Sequence, residues 1–226
     1  GIIISQQRVR GIKENLFEKL IVIRDLKADQ LNAWLDKRTS DIKIISEDKE
    51  IMALSKIFNA PEHTENGVLI IRNATASLNR YVVEYKAYEE IFIINAHSKK
   101  TELSTDKARI GSDKSQDTYF TEPMRTQNIY IKDIYYSETT RKPAMTFSIP
   151  IFDKEKSGSI TGILVVRVDL ELSLYDLLLN RTGMGNTGET LIVNKDGIAL
   201  NELRRYPNAP LKLKIEAKPI LMASQG

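Results

Sequence analysis

The sequence lacks cysteine altogether and has only two histidines in 226 residues. Without cysteine the chain cannot form disulfide bonds, thiol nucleophiles or cysteine-ligated zinc sites. The histidines, His63 and His97, lie in unrelated contexts and lack the spacing of a metal-binding pair. The sequence therefore predicts neither a metal site nor a cofactor.

Strong charge of one sign and long apolar runs are absent as well. The formal net charge is only +3, and the basic residues do not cluster, so no nucleic-acid partner is predicted. No apolar run reaches the roughly 18 residues that a membrane span requires. The apolar start, residues 1–4, has two interpretations: the end of a membrane helix, or an ordinary helix start.

A long helix is the first element that the sequence predicts. Residues 5–45 contain no proline and one glycine, Gly11, and apolar residues recur there mostly at every third or fourth position. This spacing is typical of one amphipathic helix, with a length on the order of 60 Å. Two shorter helices with a break near residues 25–29 are the alternative. Because helices in globular domains average about 11 or 12 residues, the long helix spans more than one module or projects from one.

An antiparallel sheet is predicted to follow the helix. The predicted elements are helices at 48–58 and 68–85, strands at 91–95 and 101–105, a helix at 118–126, strands at 134–136, 144–152 and 162–169, and a short helix at 171–179. Strands joined by short turns form a curved sheet with one buried face. Aromatic residues gathered where the last three strands begin favour a small-molecule pocket over a catalytic site.

A second, shorter copy of the first hairpin is also predicted. Residues 189–194 align with residues 90–95, and the Asp196-Gly197 turn is a strong hairpin signal. The second copy has no counterpart of the three long strands. The predicted organisation is a helix at 1–46, a first module at 47–180 and a second, partial module at 181–226.

The order of these segments resembles the extracytoplasmic double Cache (tandem PAS-like) sensor domains of membrane histidine kinases and chemoreceptors. Residues 31–38 are similar to the stalk helix of that family, and residues 88–95 to the first strand of its membrane-distal module. Residues 139–143 resemble a turn of that module, and residues 149–153 and 162–169 its closing strands. The resemblance implies an α+β fold in which a long N-terminal helix precedes two PAS-like modules with antiparallel sheets, the second incomplete.

The resemblance also implies a function. The distal module would bind a small molecule on the extracytoplasmic side of the membrane, and spans flanking this chain would tether it. The long helix would form a homodimer. The expected output is the histidine kinase of a two-component system; a chemoreceptor and a ligand-free stalk are the alternatives. An enzyme using Asp117, Asp133 or Asp169 as acid or base is disfavoured, since no nucleophile is paired with a base.

The family motif, carried onto this chain, gives a set of ligand-binding candidates. Tyr119 and Phe120 occupy its aromatic pair, Tyr135 its tyrosine, and Asp169 its final aspartate. Core packing of the tyrosines and helix capping by Asp169 are the structural alternatives.

Two candidate positions depart from the family motif. Asp117 stands where the family has an arginine that grips a carboxylate, and Ser137 stands where it has an aspartate. Thr146 joins the candidates because it shares one strand face with Ser148. One carboxylate does not bind another. The predicted ligand is therefore cationic or neutral; the aromatic residues would surround it, and the negative charge of Asp169 would balance its positive charge.

Overall fold

The computed structural model describes residues 2–58, 65–153, 158–185 and 188–216, with side chains from residue 10 onward. The chain divides into two compact units. The first consists of Gly1–Asp36 and Tyr175–Gly226, and the second of Lys37–Leu174. The three-part division proposed from the sequence stays a prediction.

The long N-terminal helix is continuous. Helix α1 runs over Ile2–Ser46, which confirms one helix and excludes the break near residues 25–29. The uninterrupted helical spacing of apolar residues and the lack of proline explain this continuity. Among the described residues, no helix combines the length and the apolar character needed to cross a membrane.

The second unit is built on a five-stranded sheet, which confirms the predicted α+β fold with an antiparallel sheet after the helix. The strands are β1 (Tyr88–Asn95), β2 (Thr101–Ser104), β3 (Tyr130–Ser137), β4 (Lys142–Phe152) and β5 (Ile160–Val168). Their order is β2-β1-β5-β4-β3, and every neighbouring pair is antiparallel. The central strand β5 is buried at every position after Ile160, so both faces of the sheet centre are covered.

The shorter helices differ in detail from the prediction. The predicted helix at 48–58 is two short helices, α2 (Lys49–Met52) and α3 (Ser55–Phe58). Helix α4 (Glu65–Tyr85) begins three residues before the predicted start at 68; it buries Ala74, Leu78 and Tyr81 and leaves Val68 exposed. Helix α5 (Thr118–Thr126) has the predicted bounds.

The last predicted helix also has a different form. A π-helical turn at Glu171–Tyr175 precedes α6 (Asp176–Leu179), where a single helix at 171–179 was expected.

The predicted hairpin of the first unit is only partly formed. Its turn is present: the backbone N–H of Gly197 donates to the carbonyl of Asn194, and Gly197 has a φ of +74°, which glycine adopts readily. Its strands are reduced to isolated bridges, such as Val193 with Ala199. The connection between the predicted strands 144–152 and 162–169 lies partly outside the described residues, as does the end of the predicted second module, residues 217–226.

Candidate functional site

One face of the sheet in the second unit carries both an apolar cluster and a polar cavity. Alternate residues of a strand share a face, so Ile163, Val165 and Arg167 of β5 lie on the same side. Helix α5 covers the apolar end of this face. There Phe120 and Tyr119 pack in a cluster with the strand residues, and the Tyr119 ring meets Phe92 edge-on with centroids 5.8 Å apart.

Beyond Tyr119 the same face opens into a cavity of about 160 Å³. The side chains that matter for its chemistry are Asp117, Tyr119, Lys132, Tyr135, Ser137 and Arg167. The cavity therefore lies within the second unit, between the start of α5 and the β3, β4 and β5 ladder.

Strand register brings the polar residues together. Lys132 of β3 lies opposite Thr146 of β4, and Thr146 lies opposite Arg167 of β5, so the three form one row across the sheet. Three positions separate Lys132 from Tyr135, a spacing that would put them on opposite faces of a regular strand. A register shift between them instead brings both to the cavity.

Arg167 is buried and held by an ion pair. Its Nη1 donates to Glu90 Oε2 on β1, and the other oxygen of Glu90 accepts a hydrogen bond of 2.7 Å from the Ser104 hydroxyl. The guanidinium carbon lies 5.6 Å from the centre of the Phe92 ring. Burial opposes the charged form of Arg167, but the carboxylate of Glu90 and the nearby Tyr135 and Tyr119 together outweigh this effect and raise the pKa of the guanidinium.

Lys132 brings a second positive charge to the cavity. Its Nζ lies 4.0 Å from the centre of the Tyr135 ring and 5.4 Å from that of Tyr119. Burial lowers the pKa of Lys132; the carboxylate of Asp117 opposes this effect, and the charge of Arg167 adds to it. Within the described part of the chain, no carboxylate forms an ion pair with Lys132.

Three buried polar atoms in or next to the cavity wall lack hydrogen-bond partners among the described residues. They are the Tyr135 hydroxyl, the Thr146 hydroxyl and Arg167 Nε. Burial raises the pKa of Tyr135, while the nearby charge of Arg167 and contacts with Arg167 and Thr146 act the other way. The Tyr135 hydroxyl therefore lies near both side chains without a well-aligned hydrogen bond to either. Because an unsatisfied buried polar group costs about 1–3 kcal/mol, a ligand that formed hydrogen bonds with this cluster would be stabilised there.

The carboxylate of Asp117 is already engaged. It accepts a hydrogen bond of 2.6 Å from the Tyr119 hydroxyl, and Lys114 Nζ lies 3.8 Å from the same oxygen. Burial and this hydrogen bond raise the pKa of Tyr119 far above its ordinary value, so the phenol stays protonated and keeps donating to Asp117.

The structure brings most of the predicted site residues to the cavity, but not all. Asp117, Tyr119, Tyr135 and Ser137 line it. Thr146 is fully buried in the row between Lys132 and Arg167, with its hydroxyl among the unsatisfied atoms.

The other two predicted residues have different surroundings. Phe120 packs in the apolar cluster under α5. The carboxylate of Asp169 accepts a hydrogen bond of 3.0 Å from the backbone N–H of Leu172, which fits its alternative role as a cap. A ligand contact for any of the predicted residues stays a prediction.

Sequence reasoning missed Lys132 and Arg167. A signal for Arg167 was present, since it is the one charged residue in the apolar run of residues 162–168. Lys132 gave no comparable signal, because its orientation depends on the register shift in β3.

A larger cavity, of about 410 Å³, lies in the first unit between α1 and a group of residues that includes Leu178, Met184 and residues 188–192. Its wall is mainly aliphatic and includes Leu20, Ile23 and Leu191. The buried ammonium of Lys27 there donates to the carbonyl of Leu177 at 2.9 Å. None of the predicted site residues lines this cavity, so the smaller, polar cavity is the candidate site.

Comparison with known proteins supports the fold. A family model described as "Cache domain" matches residues 5–217. The ligand-binding domain of the amino acid chemoreceptor PctC of Pseudomonas aeruginosa PAO1, solved with GABA, is 16% identical with a TM-score of 0.59, covering 83% of this chain and 74% of that chain. The ligand-binding domain of the Pseudomonas fluorescens chemoreceptor CtaA, solved with L-serine, is 16% identical with a TM-score of 0.58, covering 83% and 71%.

Two further matches are of different kinds. The extracellular domain of the putative histidine kinase vpHK1S-Z8 is 17% identical with a TM-score of 0.56, covering 77% of this chain and 63% of that chain. A stretch of 103 residues is 26% identical to citrate (Re)-synthase of Syntrophus aciditrophicus (strain SB); it spans 42% of this chain and 16% of that protein. So short a match to so long a protein transfers no activity to this chain.

Proposed function

Because this chain belongs to the Cache domain family, we propose that it is the extracytoplasmic ligand-sensing domain of a transmembrane signal-transduction receptor. Its ligand is a small molecule bound in the polar cavity of the second unit. The domain acts by binding and not by catalysis. The observation that carries this proposal is the cluster of three unsatisfied buried atoms, on Tyr135, Thr146 and Arg167, beside the unpaired charge of Lys132.

The solved neighbours support a small organic ligand. PctC was solved with GABA and CtaA with L-serine, both small molecules that carry a carboxylate. The cavity of about 160 Å³ is close to the volume of about 150 Å³ that holds one benzene molecule, which is the order of size of these ligands.

The carboxylates considered as catalytic groups are engaged elsewhere. Asp117 accepts from the Tyr119 hydroxyl, and Asp169 from the backbone N–H of Leu172. Asp133 is exposed and accepts from the backbone N–H of Ile134. These contacts favour binding over acid–base chemistry.

We propose that the receptor that carries this sensor domain is the histidine kinase of a two-component system. The fold match to the extracellular domain of vpHK1S-Z8 supports this choice. A chemoreceptor is the second candidate, favoured by the matches to PctC and CtaA.

Dimerisation through α1 is part of the same proposal. Ile12, Leu16, Phe17 and Leu20 on this helix are each more than half exposed, and an exposed apolar surface of this kind is typical of an interaction site. Sedimentation at increasing protein concentration tests it: a rising weight-average mass supports the dimer, and a constant monomer mass at high concentration contradicts it for this chain.

Binding of a small molecule can be tested with a thermal-shift screen of small acids, amino acids and amines. At a hundred times its Kd, a ligand stabilises the folded state by about 2.7 kcal/mol, which raises Tm by roughly 5–10 °C in a chain of this size. Tyr135→Phe should reduce the shift, whereas Tyr206→Phe, at an exposed tyrosine of the first unit, should not. If no compound of any class shifts Tm, the ligand-free stalk is the better description.

A further inference from the structure

The charges around the cavity are balanced except at one residue. Arg167 is neutralised by Glu90, and Lys114 lies 3.8 Å from Asp117. In the described part of the chain Lys132 has no such partner and stacks on tyrosine rings instead. Glu138 also borders the cavity, but its side chain is exposed to water on the β3–β4 turn, where screening weakens its effect. The interior of the cavity therefore has one positive charge in excess.

From this arrangement we infer that the ligand is a short-chain monocarboxylate without an ammonium group. The inference rests on the function proposed above and specifies the chemical class of the ligand. It replaces the cationic or neutral ligand expected from the sequence, because that expectation did not include Lys132 and Arg167.

The free hydrogen-bonding groups match a carboxylate. Arg167 Nε and the ammonium of Lys132 can only donate, and the hydroxyls of Tyr135 and Thr146 can each donate one hydrogen bond. An ionised carboxylate only accepts, through two oxygens with about four lone-pair sites. Charge-assisted hydrogen bonds to such a group are stronger than neutral ones. A single carboxylate can thus satisfy the three buried atoms and compensate Lys132.

In the described part of the chain, the interior of the cavity offers no free carboxylate for an ammonium group; Glu138 lies at the water-exposed rim. Asp117 is bonded to Tyr119 and close to Lys114, and Glu90 is bonded to Arg167. Asp169, the residue assigned to this role by the sequence, accepts from the backbone of Leu172. An ammonium placed beside Lys132 would be repelled by a like charge at short range. Amino acids and amines are therefore disfavoured relative to the plain acid.

The volume of the cavity indicates the length of a ligand that would fit inside it. A cavity of about 150 Å³ in another protein holds one benzene molecule, which has six non-hydrogen atoms. The cavity here is of similar volume, about 160 Å³, so an acid of roughly five to seven non-hydrogen atoms would fill it. Its aliphatic part would contact the rings of Tyr119 and Tyr135, which form the apolar side of the wall.

Isothermal titration calorimetry of the whole chain at pH 7 tests the inference with probes that share one carbon skeleton. Propanoate should bind, L-alanine should bind at least tenfold more weakly, and propylamine should not bind. Butanoate and pentanoate define the length limit. Succinate and inorganic phosphate, as polyvalent anions, should bind more weakly than the best monocarboxylate.

Two variants beside the cavity and one control variant locate the binding site. Lys132→Met should lower the affinity for the best monocarboxylate at least tenfold, and Lys195→Met, at an exposed lysine of the first unit, should leave it unchanged. Thr146→Val keeps the side-chain shape, removes one hydroxyl and should lower the affinity severalfold. Monocarboxylate binding that neither cavity variant weakens would overturn the inference.

The failure of this inference can be separated from the failure of the proposed function. If L-alanine or propylamine binds more tightly than propanoate, the assigned class is wrong, while small-molecule sensing stands. Tighter binding of succinate or phosphate likewise overturns only the monocarboxylate class. If none of these probes binds, the inference is wrong, and the broader thermal-shift screen then decides whether small-molecule sensing itself survives.

Discussion

The carboxylate of Glu90 pairs with the guanidinium of Arg167 across the β1–β5 ladder, and both side chains are almost completely buried. Such a pair positions its partners more than it stabilises the fold, because desolvation consumes much of the Coulombic gain. Here it fixes Arg167 with one terminal nitrogen on Glu90 and leaves Nε without a partner. Glu90 therefore acts as a positioning residue for the candidate binding site.

Replacing Glu90→Gln should destabilise the domain and change its ligand selectivity. Removal of one partner of a buried ion pair typically costs about 3–5 kcal/mol, and the amide retained by glutamine should keep the loss near the lower end. The cavity would then hold two uncompensated cations, so succinate should gain affinity relative to propanoate. Urea unfolding and calorimetry measure both effects. Glu84→Gln, on the exposed side of α4, is the matched control; an unchanged selectivity would remove Glu90 from the site.

Replacing Lys132→Met should stabilise the ligand-free domain while it weakens anion binding at least tenfold. Burial lowers the pKa of Lys132 from its ordinary value of 10.5, so the folded state disfavours the charged form. Below the lowered pKa, the wild-type chain carries this cost and the methionine variant does not. The gain should be small, with Tm higher by on the order of 2 °C at neutral pH, because the side chain is only partly buried.

The pH dependence of this effect has a definite sign. Between the lowered pKa and 10.5, the unfolded state binds more protons at Lys132 than the folded state, so wild-type stability rises with pH in that window. The variant lacks this contribution, and its advantage should therefore shrink as the pH increases through the window. Urea unfolding of both proteins from pH 7 to pH 10.5 measures the difference. A difference that stays constant would show that the charge of Lys132 is not the cause.

Much of the scaffold could be predicted from the sequence because its signals are local. The unbroken apolar spacing of residues 5–45 predicts α1. The turn residues between apolar runs predict where the successive strands lie along the chain. Helix α5 was placed at its observed bounds. The predicted hairpin at 189–200 shows the limit of such signals, since its turn forms without a regular ladder.

The chemistry of the site could be predicted only in part. The aromatic residues of the cavity follow from the family motif, but its charge does not. Lys132 reaches the cavity through a register shift in β3, and Arg167 does so as the partner of Glu90, a residue far away in the sequence. Neither a bulge nor a long-range ion pair produces a periodic pattern in the amino-acid sequence. The sign of the expected ligand charge was therefore taken from Asp117 and Asp169, which the structure shows to be engaged in other hydrogen bonds.

Replacing Tyr88→Phe should uncouple the cavity from α1. A register shift in β1 pairs Tyr88 with Val168 and Glu90 with Arg167, so the two side chains point to opposite faces of the sheet. The hydroxyl of Tyr88 donates to Asp41 on α1 at 2.7 Å. In the wild type, ligand should slow amide exchange at residues 37–46. The variant should lose this protection and about 1 kcal/mol of stability, with ligand affinity unchanged within about twofold. Ligand-induced protection that survives would exclude this route.

Replacing Asp169→Ala decides between the two roles considered for this residue. The family motif predicts that its carboxylate contacts the ligand, whereas the hydrogen bond from Leu172 N–H makes it a cap for the turn that follows β5. Loss of a cap typically costs about 1 kcal/mol, so Tm should fall by roughly 2–4 °C. We expect monocarboxylate affinity to change by less than twofold, because the charge that holds the anion belongs to Lys132 and Arg167. A tenfold loss of affinity would instead place Asp169 in the binding site, and an amine-bearing ligand would then be the better fit to the cavity.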